Sequence, residues 1–257
     1  MNGLDTNKIK LNLVKYFTQA LDDQLVAIIL AGSLPDGTYK DGWSDIDLLI
    51  VVDTLDLNIK LKIANVVARA ENDSGIHHGI NVISREELFA PIDPHVLLEG
   101  KTIQALIDLK KYPDRLIYSL PFISIENIYS PNNDTLKKYS LSNIGMFLLR
   151  NRRTLVTKAD DENIKELLKK EIRASLIITK LAVQYFTGTP QESHLEVLKQ
   201  AKYLFPDFDF KVIEDNFLTI EKWQELKDTE EIKFVFKRVD AYIEEFTHYV
   251  FKKSKNN

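Results

Sequence analysis

The 257-residue chain has no cysteine, two methionines and two tryptophans, and only nine glycines and eight prolines. Without cysteine there is no disulfide, no thiolate zinc site and no cysteine nucleophile, so any metal is bound through oxygen or imidazole. Long hydrophobic runs are missing too: no window offers the ~18 uninterrupted apolar residues that span a bilayer. The opening MNGLDTNKIKLNLVKYFTQALDD mixes charged and apolar residues without a continuous apolar stretch, so it reads as neither signal peptide nor anchor, and a cytoplasmic location is expected. No strong excess of one charge sign exists either, with a formal net charge of -4, which argues against a protein that coats nucleic acid or a membrane surface. What is present, 44% apolar and 28% charged residues, is the profile of an ordinary globular protein.

From Thr6 to Asp22, Ile9, Leu13, Val14, Tyr16, Phe17 and Leu21 recur at three- and four-residue steps, which predicts an amphipathic helix. LVAIILAG reads as a strand stopped at Gly32, SDIDLLIVV as a second, buried strand, and GINVIS as a third. LNIKLKIANVVARAEN between the last two returns to helical spacing, REEL starts another helix, and LIYSLPFISIENIYS suggests a further edge strand. This alternation predicts a small α/β (α+β) domain with helices packed on a sheet. Past residue 130 strand signals nearly vanish. SPNNDTLKKYS is expected to be a linker, and helical patterns follow at Leu136 to Leu155, Asp161 to Phe186, Ser193 to Leu204 and Glu230 to Phe251. The expected organisation is an α/β domain over 1–130 and an all-α helical bundle over 131–257.

The chemistry gathers in AGSLPDGTYKDGWSDIDLLIVV, residues 31–52. Strand alternation sends Asp45 and Asp47 to one face and Ile46 and Leu48 to the other. A carboxylate at the mouth of a buried strand needs a cation, a hydrogen-bond network or an exposed cleft to face. Two carboxylates so spaced suit a hard divalent cation such as Mg2+, which takes oxygen ligands, keeps some waters and recruits substrate phosphates. Gly32 permits close backbone approach to a ligand, and the amides and hydroxyl around Ser33 can donate to phosphate oxygens. The alternative is that the aspartates cap and solubilise the end of a sheet.

With its Gly32-Ser33 pair followed by Ser44-Asp45-Ile46-Asp47 on the next strand, the segment resembles the nucleotidyltransferase superfamily with the DNA polymerase β-like palm, which includes minimal nucleotidyltransferases and aminoglycoside adenylyltransferases. The resemblance covers residues 20 to 90 and extends into the helical part. It implies a palm with a mixed sheet in which Asp45 and Asp47 bind Mg2+ (or Mn2+) carrying the phosphates of a nucleoside triphosphate. Gly32, Ser33 and Ser44 would contact the nucleotide, and the reaction would move a nucleoside monophosphate, AMP from ATP, onto an acceptor hydroxyl. A small-molecule acceptor such as an aminoglycoside is favoured over protein or RNA by the acidic balance. The sequence departs from the pattern at Asn81, where the superfamily carries a third carboxylate. Asparagine is no base and a poorer metal ligand, so the implied alternative is a nucleotide-binding or partner-binding module with impaired catalysis.

Several other residues invite a role. Glu171 shares the apolar face of its helix with Ile164, Leu167 and Leu168 and is a candidate replacement base, the alternative being an ion pair at the edge of the stripe. Glu86 and Glu87 follow the third strand and either reach the site or start the next helix. His77 and His78 point oppositely on an extended segment, so they do not form a metal pair. RNRR, residues 150–153, is a basic cluster at a solvated helix end or near a polyanion. In the helical part, Phe186-Thr187-Gly188 and Phe205-Pro206 resemble the helical domain of streptomycin- and spectinomycin-type adenylyltransferases, with Ser193-His194 where Ser-Lys is usual.

Overall fold

Two apolar strands anchor the first of two compact units, Met1–Pro131 and Asn132–Asn257, into which the chain divides. The computed structural model describes residues 5–91, 100–158, 163–191 and 193–255. In the first unit α1 (Thr6–Leu21) is followed by β1 (Leu25–Ala31), β2 (Ile46–Val52), α2 (Leu57–Ser74), β3 (His78–Ser84), α3 (Arg85–Phe89), α4 (Gly100–Lys111) and β4 (Leu116–Ser119). The sheet order is β3-β2-β1-β4, with β1 antiparallel to β2 and β4, and β2 parallel to β3. It is the mixed sheet expected; β3 and β4 are its edges, and of the stretch LIYSLPFISIENIYS only Leu116–Ser119 forms the expected edge strand.

Central position explains the composition. β1 is buried throughout and β2 everywhere except Asp47, because both faces are covered and a polar alternation would bury unpaired groups. On one face Leu13, Phe17 and Leu21 of α1, with Ile59, Ile63 and Val66 of α2, pack against Ile28, Leu30, Ile46, Leu48 and Ile50. Alternation sends Ile29, Ala31, Asp47 and Leu49 to the other face. There α4 packs on β1 and buries Ile103 and Leu106.

The second unit begins where a linker was expected. α5 (Asn133–Lys158) takes in most of SPNNDTLKKYS, because the Asn132 side chain accepts the Thr135 amide at 2.8 Å and so starts a helix in the polar stretch. α6 (Ile164–Thr187), α7 (His194–Leu204), α8 (Lys211–Glu221) and α9 (Thr229–Ser254) follow, and α6 packs against α5, α7 and α9. Gly188 ends α6 with φ 67, a left-handed cap that glycine adopts without steric cost. α4 and α8 lie outside the helices that the sequence pattern predicts.

The core of this unit is polar in places. Asn216 donates to Ser175 at 3.0 Å, Gln184 to Ser140 at 2.9 Å, and Thr179 and Tyr242 share a hydrogen bond of 2.7 Å, all buried. Glu171 belongs to the same set: it is 1% exposed and accepts from Asn151 at 2.8 Å. Burial pushes its carboxyl up to about 7, Asp240 and Glu244 of α9 push the same way, and the Asn151 amide opposes them. Arg152 beside them is already paired with Glu244, at 2.7 Å through Nε.

A raised folded-state value means that the folded protein holds the proton more tightly than the unfolded chain. Stability from this group is therefore complete below its ordinary value of 4.5 and is lost as pH rises through about 7. Glu171→Gln removes the titration. Chemical denaturation between pH 4 and 9 should show wild type falling relative to the variant across this window, to a difference of about 3 kcal/mol above it. Parallel curves would contradict the assignment.

Candidate functional site

β1 ends at Ala31, and Gly32 turns the chain with φ +69. A Cβ on Gly32 would lie 2.7 Å from the Asp47 carboxylate oxygen Oδ2, so the absence of a side chain is what lets the turn pass the acid. The register agrees, pairing Ala31 with Asp47. Beyond Gly32 the loop closes on itself: the Thr38 amide donates to the Ser33 carbonyl at 3.1 Å and the Gly37 amide to the Leu34 carbonyl at 3.3 Å. Leu34 is buried in the sheet core. The hydroxyl of half-buried Ser33 makes no hydrogen bond among the described residues.

Asp45 stands one step before β2, and it and Asp47 are half-buried among buried neighbours. Ser44 closes the preceding turn, its hydroxyl oxygen accepting the Lys40 amide at 3.0 Å and its own amide donating to the Lys40 carbonyl at 2.7 Å. Tyr39 belongs to this neighbourhood: burial raises its phenol above the ordinary range, and the charges of Asp41 and Asp45 raise it further. Spacing alone did not single it out.

The third strand enters beside the acids, the Ile46 amide donating to the His77 carbonyl at 3.0 Å. In the parallel ladder Asp47 is level with Gly79 and Leu49 with Asn81, which puts Asn81 on the same face as Asp47, two positions deeper. Its amide donates to Thr102 of α4 at 3.0 Å. The histidines are occupied at the strand entry. Glu71 takes the His78 amide at 2.8 Å and contacts His77 Nδ1 at 2.7 Å, while His78 is 4% exposed and its ring bonds to the Ile76 carbonyl.

Glu86 and Glu87 are elsewhere. Ser84 is level with Val52, so α3 starts at the opposite end of β2 from Asp47. Glu87 completes a capping box with Ser84. Glu86 lines an open cavity of about 590 Å3 with Phe89, Phe122 and an Arg85–Asp53 pair of 3.0 Å. Of the basic cluster, Asn151 turns inward to Glu171, Arg152 pairs with Glu244, and Arg150 and Arg153 are exposed. Glu171, at 1% exposure, offers no surface to a substrate.

Sequence reasoning passed over Arg115, which immediately precedes β4. Its guanidinium is 5% exposed, pairs with Asp36 of the loop and with Asp108 of α4 at 2.8 Å, and stands 4.9 Å from the Tyr112 ring centroid. Asp108 also accepts from Gln104 at 2.6 Å. The signal was out of reach locally, since Arg115 and Asp36 are 79 positions apart.

Among the described residues no group of three or more His, Asp or Glu side chains is placed to hold a metal ion. Asp47 beside a side-chain-free turn, with Asp45 two residues before it, would fit a cation that completes its shell with water and phosphate oxygens. The pair does not fit one caged by protein alone.

The mixed sheet followed by a helical region is consistent with a nucleotidyltransferase fold. Among solved structures the chain is similar to spectinomycin adenyltransferase AAD(9) from Enterococcus faecialis, a protein crystallised with ATP and spectinomycin. The TM-score is 0.57 at 12% identity, over 93% of this chain and 100% of that one. No protein-family model and no curated protein matches the sequence. No helix among the described residues is long and apolar enough to cross a membrane.

The Gly32 contact can be tested against an internal control. Gly37 has the same φ of +69 but nothing within 4 Å of an added Cβ. Both Gly32→Ala and Gly37→Ala should lose about 1 kcal/mol to backbone strain in urea denaturation. Only Gly32→Ala should move the carboxyl carbon resonance of Asp47, and equal responses would show that the two groups do not meet.

Proposed function

We propose that the protein is a nucleotidyltransferase that moves AMP from ATP onto an acceptor hydroxyl, with Mg2+ or Mn2+ held by Asp45 and Asp47. The observation that carries this reading is the passage of the Gly32 backbone beside the Asp47 carboxylate, because a phosphate chain bound to the cation needs bare backbone next to the ligating acid. The fold shared with an adenyltransferase solved with ATP supports it. When bound, the cation neutralises charge on the pyrophosphate leaving group. The chain's own contribution is positional: Asp45 and Asp47 hold, the Ser33 hydroxyl and loop amides orient a terminal phosphate, and Ser44 keeps the turn before the acids closed. A cationic small molecule of the aminoglycoside kind is the acceptor we favour. Support comes from the net charge of -4 and from the spectinomycin bound by the structural neighbour.

A second reading rests on Asn81. Its amide is committed to Thr102 and has no basic atom, so the chain is also consistent with a module that binds nucleotide without turning it over.

Calorimetry with a non-hydrolysable ATP analogue comes first, since it needs no acceptor. Wild type should bind only with Mg2+, and Asp45→Ala should weaken binding at least about tenfold. If no nucleoside triphosphate binds the folded wild type at millimolar concentration, both readings fall. Pyrophosphate release over an acceptor panel separates them: transfer predicts release by wild type, the module predicts none. Asn81→Asp restores a carboxylate on the Asp47 face and should raise any release by about 100-fold or more if a general base limits the rate. An unchanged rate would place the base elsewhere.

A further inference from the structure

We propose that Arg115 is a positioning residue that holds the Gly32–Gly37 loop in register with Asp47, an inference that rests on the nucleotidyltransferase reading for its consequence in binding. The loop is fastened at three points. Gly32 lies against Asp47, Leu34 is sunk in the sheet core, and Asp36 is paired with Arg115. The third point alone is ionic. Its cation comes from a different part of the chain, delivered to the loop because β4 runs antiparallel to β1 and therefore starts near the end where β1 stops.

A core function does not account for this guanidinium. A buried ion pair is a weak source of stability, and apolar packing of similar volume often matches or exceeds it. What it supplies is one permitted geometry: planar, with Asp108 on one nitrogen, Asp36 on another and the Tyr112 ring nearby. Asp108 is itself braced by Gln104, so the anchor on the α4 side is rigid. The same helix carries Thr102, the partner of Asn81. One helix thus ties down both the loop after β1 and the third strand. At 5% exposure Arg115 does not reach ligand itself; it acts through Asp36 on Ser33 and the loop amides.

The consequence is a population effect. If the loop is competent for a triphosphate only in the clamped form, apparent affinity falls with the clamped fraction. The test uses the full chain with Arg115→Met, and with Asp36→Asn, which leaves the buried cation paired to Asp108 and keeps a folded protein should the first variant fail. Amide exchange is read at Gly37 and Thr38, whose donors close the loop, with Ile28 to Leu30 of β1 as reference. Binding of the Mg2+-loaded ATP analogue is read alongside. We expect exchange at Gly37 and Thr38 about tenfold faster at unchanged β1 protection, analogue affinity lowered about tenfold, and partial rescue of both by Arg115→Lys. Unchanged loop exchange in both variants overturns the clamp. So does a loosened loop with undiminished affinity, since Arg115 would then be merely structural. If wild type binds no nucleotide, the functional reading fails by itself, and the exchange measurement still decides whether Arg115 holds the loop.

Discussion

A carboxylate placed where two buried strands meet must be answered, and the answer to Asp47 organises this end of the sheet. The acid sits at the only half-buried position of an otherwise buried strand, opposite the last residue of β1. A side chain on the residue after β1 would collide with it, so the chain turns there on glycine in the left-handed region. That turn carries the chain past the acid and into the Ser33–Thr38 loop. Site and fold are therefore one constraint: the packing that buries β1 and β2 also sets how closely backbone and carboxylate approach.

The helical unit resolves a comparable difficulty differently. Its core contains Asn151, Glu171, Ser175, Thr179, Gln184 and Asn216, side chains that cost free energy unless paired. Most are paired in specific side-chain couples, and Glu171 is accommodated by an amide and a shift toward its neutral form. Such couples fix helix register more sharply than apolar contacts do, because a slip of one residue leaves both partners unsatisfied.

Much of this was legible locally. The apolar runs of β1 and β2, the stop at Gly32 and the Asp-x-Asp opening are all written within residues 25–52, and short apolar runs bounded by turn residues suffice to read the strands. In the second unit α5, α6, α7 and α9 were legible from period, whereas α8 was not. The polar stretch at the start of α5 misled because asparagine serves both loops and helix caps, and only the Asn132–Thr135 bond decides between them. Arg115, Thr102 and Tyr39 carried no local signal. Arg115 and Thr102 act through partners 79 and 21 positions away, and an arginine before a short edge strand looks like any solvated charge until the sheet is assembled.

Asn81 gives the site a different electrostatic character from one with three acids. A third carboxylate on the Asp47 face would raise mutual repulsion in the absence of a cation and strengthen binding of a free one. An amide removes both effects. On the proposed reading the two aspartates bind the cation weakly until a triphosphate supplies further oxygens, so cation and nucleotide should bind with strong mutual dependence. Thr102 fits this arrangement, because its hydroxyl oxygen receives the amide proton while the helix that carries it also braces Asp108 behind the loop. Asn81 is thus tied into the packing of α4, and a change at Asn81 is felt first at Thr102.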